Sequence, residues 1–432
     1  MRTPLLALAL ILAPAAPAFA GVLVVDPANG PGTDFTSLAA ALQAAAPGDV
    51  LLLRNGTYDG SFVTGKSIAI FADGTNVTIK NSALGNPAVP ALQIGGQDPG
   101  TTLLRGLKLS TPQGGGVPLL VSGASGAGGH VWVEDCDVPQ SGGVGMQIGD
   151  NISPVTLVHS DVHGSQPDAT LGAGGFPASV GQPGVSVGAG PLAVFGGMLF
   201  GGDGLVAGLY GPLPLPVAGA DGSPGLHIAN VDSSLKILSA AVCIGGVGGA
   251  GANPGMCLPP GDGGDGVLVT QNGNVHVTSL YGTGNLPGAP AAGCGQLGGF
   301  GELLASEPPG QTPTWLPGVP ADIFVSGVWR EGQVATVIVQ VPLEQSAGLL
   351  IGLAPTFEYL PNFSGALVAT PEIAIPIGTA PPPGTFTLHV PIPELGPGVE
   401  SIIAYVQVFT RNAAGKKTLG APSAVLMLDS QF

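Results

Sequence analysis

The chain has 432 residues, long enough for two or three domains, and carries 27 Asp and Glu against 11 Lys and Arg, a formal net charge of −16 that disfavours nucleic acid and anionic lipid as partners. Glycine (74) and proline (43) exceed a quarter of the chain, a share usual for disorder. Yet 44% of residues are apolar, only 9% are charged, and the apolar ones fall in short alternating runs, which points to turn-dense all-β structure instead.

Residues 1–20, MRTPLLALALILAPAAPAFA, join a basic start to an apolar run and an Ala18-Phe19-Ala20 ending. That is the composition of a secretory signal peptide and predicts a secreted or cell-surface protein of bacterial type. No later stretch is apolar and unbroken enough to predict a transmembrane segment. DFTSLAAALQAAAPGDVLLLRNGTYDG then predicts a short amphipathic helix capped by Asp34 or Thr36, a stop at Pro47-Gly48 and a strand at 50–53. KSIAIFAD, NVTIKNS, ALQIGG and TLLRGLKLS supply further short strands.

The middle of the chain repeats. GVGMQIG, GVSVGAG, GLHIAN and GVLVTQN place Val144, Val185, Leu226 and Val267 at equal steps of 41, each after a glycine, here assigned to a tight turn of unusual φ. Each unit has a second alternation: VWVEDCDV, VTLVHSDV, LAVFGGM, LKILSAA and VHVTSLY. Strands this short cannot bury a face alone, but stacked one unit per layer they share a core, as in a parallel β-solenoid. The surplus residues, 163–183, 200–224, 243–265 and 282–300, are rich in Gly, Pro and Ala and map to loops on one face.

The expected capping helix, followed by PGDVLLLRNGTYDG and KSIAIFA, resembles the right-handed parallel β-helix proteins of the pectin lyase-like superfamily over roughly residues 22–300. The resemblance implies a right-handed parallel β-helix with an N-terminal capping helix over residues 21–301. That superfamily includes lyases, hydrolases, phage tailspikes, adhesins and proteins of no known activity, so fold does not fix function. Residues 302–320, ELLASEPPGQTPTWLPGVP, read as a linker. Beyond Ala321 the strands lengthen (DIFVSGVW, QVATVIVQV, GTFTLHVPI, SIIAYVQVFTRNAAGKKTLG) and predict a small antiparallel β-sandwich at 321–432, placed as a cap on the last rung.

Three clusters carry candidate chemistry. Aligning Val131 with Val155 puts Asp135 beside His159 and Asp137 beside Asp161, carboxylates on adjacent rungs that could serve as acid and base. The resemblance includes galacturonan hydrolases, but their Asn-Thr-Asp, Asp-Asp, Gly-His-Gly and Arg-Ile-Lys motifs are absent here. The competing reading is that these polar residues mark the turn between two rung strands. Asp221, Asp262 and Asp265 lie at matching loop positions and could hold Ca²⁺, against ordinary aspartate turn chemistry. Trp132, Glu134, Lys236 and His276 are assigned outward positions, with Trp132 beside Glu134 suited to a sugar ring. Cys136, Cys243, Cys257 and Cys294 predict disulfides in an exported chain, Cys243–Cys257 first and Cys257–Cys294 as the alternative; no CxxC pair points to zinc.

The favoured expectation is a non-enzymatic exported surface or matrix protein that binds a partner or neutral glycan through its stacked loops, with no cofactor required. The alternatives are a polysaccharide-degrading enzyme using Asp137, Asp161, Asp135 and His159, and a calcium-stabilised adhesin.

Overall fold

The computed structural model describes residues 21–432 apart from 65, 82–88, 96–98, 112–115, 123–128, 140–142, 150–152, 167–180, 211–214, 230–231, 233, 271–273, 296, 308–312 and 326. The expected signal peptide lies outside the described residues, as do parts of the first two long loops.

The chain is all-β and folds as a parallel β-helix followed by antiparallel sheets. Each coil visits three faces in turn. The first face stacks Val22–Val25, Val50–Asp59, Ala69–Lys80, Thr101–Arg105, His130–Glu134, Val155–Val158, Leu192–Phe195, Leu235–Ile244 and Asn274–Thr283, every strand parallel to the next. The second runs through Lys108–Ser110, Asp137–Val138, Asp161–His163 and Met198–Phe200 into the later halves of Leu235–Ile244 and Asn274–Thr283. The third stacks Ser61–Thr64, Leu92–Gly95, Leu119–Val121, Met146–Ile148, Val185–Val187, Leu226–Ile228, Val267–Thr270 and Leu304–Glu307.

Side chains alternate across a strand, so register decides which residues enter the core. Val185 pairs with Leu226 and Leu226 with Val267, two steps of 41 as expected. The step before them is 39, because Met146 rather than Val144 pairs with Val185. A slip of two keeps the same face inward, and Met146, Val185, Leu226 and Val267 form one buried column. The helix Leu38–Ala44 buries Leu38, Ala41 and Leu42 on the same core; its N-cap is Ser37, not Asp34 or Thr36. Lys66 closes its C-terminus by donating to the carbonyls of Leu42, Gln43 and Ala45 at 2.7–3.0 Å.

The long loops form a layered bundle. Their backbone hydrogen bonds recur every third residue, the period of an extended polyproline II type helix. Gly201, Gly204 and Ala207 donate to Ile244, Val247 and Ala250; Gly245, Gly248 and Gly251 donate to Thr283, Leu286 and Ala289. Returning segments pair likewise, with Gly219, Gly222 and Gly225 donating to Pro259, Asp262 and Asp265. The glycine before each third-face strand has a different reason from the one expected. Gly184, Gly225 and Gly266 do not lie in the left-handed region. Backbone simply approaches too closely for a Cβ, which at Gly184 would sit 2.7 Å from the Phe200 carbonyl and at Gly225 2.5 Å from that of Leu199. Cys257 and Cys294 join neighbouring layers in a disulfide, the second of the two pairings considered. Cys243 instead lies buried and free in the core, as does Cys136. Burial pushes both thiols up to about 12.

The outermost outgoing layer is closed by sequence. In each earlier layer the residue after an accepting carbonyl donates onward: Gly245 follows Ile244, and Gly248 follows Val247. In the last layer the residues after Leu286 and Ala289 are Pro287 and Pro290, which have no N–H to offer a further segment. Replacing both with alanine restores the donors. Sedimentation is then expected to show concentration-dependent association beyond that of the parent chain; identical sedimentation would count against a proline-blocked edge.

Residues 302–320 are not a bare linker. Leu304–Glu307 pairs with Val267–Thr270, and Thr314–Trp315 with His276–Val277, adding a partial rung. Beyond them lie two main antiparallel sheets, one containing Asp322–Val325, Val334–Gln340 and Thr385–Pro391, the other centred on Ser401–Arg411 and Lys417–Leu428. They do not cap the last rung. They pack along the side of the β-helix, so that Val22, Phe71, Trp132, Phe195 and Ile237 share one buried cluster with Ala424, Leu426 and Tyr405.

Candidate functional site

The first and second faces meet at a ladder of left-handed residues. Gly106, Asp135, His159, Gly196 and Ala240 occupy successive rungs with φ between 46° and 73°. Each of the first four donates its N–H to the residue preceding the next corner, at 2.9–3.0 Å. Glycine takes this conformation freely, and Asp and His are among the side chains that tolerate it. Asp135 and His159 therefore sit where the chain bends, as the turn reading held. The His159 side chain reaches the C-terminal sheets, while that of Asp135 pairs with Arg105 of the β-helix itself. Asp135 accepts from Arg105 at 3.1 and 3.2 Å, and His159 Nε2 lies 2.6 Å from Asp322.

The outward positions of the first face are covered by those sheets. Trp132 is 0% and Glu134 1% exposed, so neither can present itself to a glycan as expected. Trp132 Nε1 donates to Glu134 at 2.9 Å, and the Trp132 ring meets Tyr405 edge-on at 5.0 Å. The Glu134 carboxylate also accepts from the Ser423 hydroxyl and the Ala424 N–H, and Arg105 lies 3.4 Å away. Arg105 in turn donates to the carbonyls of Val325 and Ala424. Burial holds the Glu134 carboxyl above its ordinary range, against the pull of Arg105. His276 is half-buried, edge-on to Tyr359 at 4.8 Å.

Lys236 does not take the outward position expected of it and is fully buried. It pairs with Leu192 and Val275, both in the inner core, so it belongs to an inward column, while Ile237 beside Ala193 faces out. The ammonium reaches Ser234 and Asp232 at the strand's start, and burial lowers its pKa against the attraction of Asp232. A one-residue slip exchanged the faces.

The proposed calcium ligands are occupied differently. Asp221 accepts the Asp262 N–H at 2.8 Å, Asp262 the Gly299 N–H at 2.5 Å, and Asp265 the Glu302 N–H at 2.7 Å. Asp203 does the same for Val247, a residue the sequence did not single out. Each carboxylate satisfies an outward-pointing N–H of the next layer. Among the described residues no three His, Cys, Asp or Glu side chains converge as a metal would require.

What remains open is the second face. Lys108, Asp137, Asp161, Met198, Val242 and Tyr281 form one outward column, each in register with the next. Their neighbours Leu109, Val138, Val162, Leu199 and Cys243 point into the core. Asp137 thus stands beside Asp161, as the alignment predicted, one interstrand spacing of about 4.8 Å away. Asp137 pairs with Lys108 at 3.1 Å, both about half exposed. Asp161 accepts the Met198 N–H at 3.0 Å. Burial raises the Asp161 carboxyl above its ordinary range, with Asp137 adding to the effect and the Met198 N–H and His163 opposing it. Alongside runs a second column in which the His163 ring stacks on Phe200 at 4.3 Å. Tyr281 is 51% and Met198 40% exposed. The strip starts charged and ends apolar and aromatic. It is flanked by Phe324, stacked on His159, and by the glycine-rich layers that leave the ends of its strands.

No family model matches the chain, and no curated protein matches it. Among solved structures the chain is similar to the crystal structure of pectate lyase Pel9A, at 17% sequence identity and a TM-score of 0.41. The match covers 62% of this chain and spans 64% of that one, less than two thirds of its length.

Proposed function

We propose that the protein is an exported, non-enzymatic β-helix protein of a cell surface or matrix that binds a neutral glycan along the open strip of its second face. The observation that supports this is the exposed column Asp137, Asp161, Met198, Tyr281 with the His163–Phe200 stack beside it. Tyrosine offers an apolar ring face with a polar tip, and the carboxylates offer acceptors to sugar hydroxyls. Lys108 balances one of the two carboxylates, and the chain is strongly acidic overall, which favours a neutral over an acidic polymer. The residues 1–20 leader composition supports export.

One observation favours a polysaccharide-degrading enzyme instead: two stacked carboxyls, one of them raised by burial, is an arrangement that acid–base chemistry uses. A binding and turnover screen on neutral and acidic polysaccharides separates the readings. Retention on a neutral glycan, weakened at least tenfold by Tyr281→Ala without any product release, is expected. Product release abolished by Asp161→Asn would replace binding with catalysis, and failure to retain any neutral glycan would remove the proposal.

A further inference from the structure

We propose that the seam between the β-helix and the C-terminal sheets is a proton-linked clamp, closed by the His159–Asp322 pair and loosened as that pair loses its proton. The two residues are 163 apart in sequence and meet at 2.6 Å across the seam. His159 stands on a left-handed corner of the β-helix, while Asp322 opens the strand Asp322–Val325 of the C-terminal sheets. The imidazole is stacked on Phe324 at 4.9 Å and 15°, two residues along that same strand. On the next rung Gly196 leaves the space the ring needs, since a Cβ there would come 2.6 Å from His159 Cδ2. His159 is thus held by geometry on three sides, with its charge state set by one carboxylate across the seam.

The other charged groups around it are Asp135 and Glu134 on the rung before, with Arg105 between them and the C-terminal sheets. Burial disfavours the imidazolium, but the Asp322 hydrogen bond and charge, aided by Asp135 and Glu134, outweigh it and raise the histidine above its ordinary value. The docked state therefore holds the proton more tightly than an undocked one. Its contribution is complete below the usual histidine range near pH 6.5 and is lost as pH climbs through the docked midpoint. The buried Glu134 carboxyl, also raised, acts with the same sign.

Hydrogen exchange on the full chain tests this. The amides of Asp322–Val325 and of Ser423 and Ala424, corrected for intrinsic exchange, are expected to lose protection between pH 6 and 9, about tenfold for each unit by which docking raises the midpoint. In His159→Gln the same amides should be less protected at pH 6 and nearly insensitive to pH over that window. An unchanged pH profile in the variant would overturn the proposal. Ring NMR of the parent protein gives a second readout that does not depend on the variant folding. His159 should titrate above 6.5 and move down in Asp322→Asn; a His159 midpoint at or below 6.5 would equally overturn it.

Discussion

Gly249→Ala is expected to destabilise the protein by about 3 kcal/mol or more, because a single methyl group there has nowhere to go. The added Cβ would fall far inside van der Waals contact of the Leu205 carbonyl, on an adjacent segment of the glycine-rich bundle. The obstacle is backbone, already fixed by the bonds from Gly249 to Ala220 and from Ala220 to Leu205. No rotamer change relieves it, so the layers must separate. Gly246→Ala should behave alike, since its Cβ would strike the Gly202 carbonyl. Gly255→Ala is the control. Nothing lies within 4 Å of its Cβ, but its φ of 104° is unfavourable for an L side chain, so a loss of only about 1–2 kcal/mol is expected. Equilibrium unfolding in urea measures all three. Equal costs at Gly249 and Gly255 would mean that backbone freedom, and not close approach, explains the glycines.

Arg105→Met should cost about 3–5 kcal/mol, through what it leaves behind as much as through what it removes. Arg105 is 7% exposed at its side chain, and its loss strands a Glu134 carboxylate that is 1% exposed. The carboxylate keeps its bonds from Trp132, Ser423 and Ala424, but not its countercharge. Glu134→Gln, which removes the charge and keeps the shape, should cost less, about 1–3 kcal/mol. Combining the two should give a protein more stable than Arg105→Met alone, because the stranded charge has gone. Unfolding free energies of the four proteins close the cycle, and simple additivity would show that Arg105 and Glu134 are not coupled.

The β-helix was legible because its third face repeats with an unbroken inward alternation, Met146–Ile148 over Val185–Val187 over Leu226–Ile228. The first face was harder. It is buried on both sides, so VWV, LAVF and LKIL read as nearly continuous apolar runs, and alternation no longer reveals which residue points inward. That is how Lys236, which lies in an inward column, came to be assigned outward. The same runs were the signal that something covers this face: Trp132, Phe195 and Ile237 are too apolar for a surface column. Placing the C-terminal sheets on the last rung overlooked that signal.

The candidate site divided along similar lines. The Asp137–Asp161 pairing followed from alignment of Val131 with Val155 and holds in the register. The roles of Asp135 and His159 were hidden because a left-handed corner is evident from sequence only where it carries glycine, as at Gly106 and Gly196. Partners 163 residues away, such as Asp322 for His159, leave no local trace at all. The strip of Met198, Phe200 and Tyr281 was missed since those residues lie at strand ends next to the long loops, where loop and strand composition merge.

Hydroxyl-radical footprinting of the intact chain, read at its three tryptophans, tests side-on packing most directly. Trp132 at 0% and Trp329 at 8% exposure should stay protected while Trp315, at 56%, oxidises readily. Oxidation of Trp132 at the rate of Trp315 under native conditions would mean that the C-terminal sheets do not cover the first face, and the seam and its clamp would go with them.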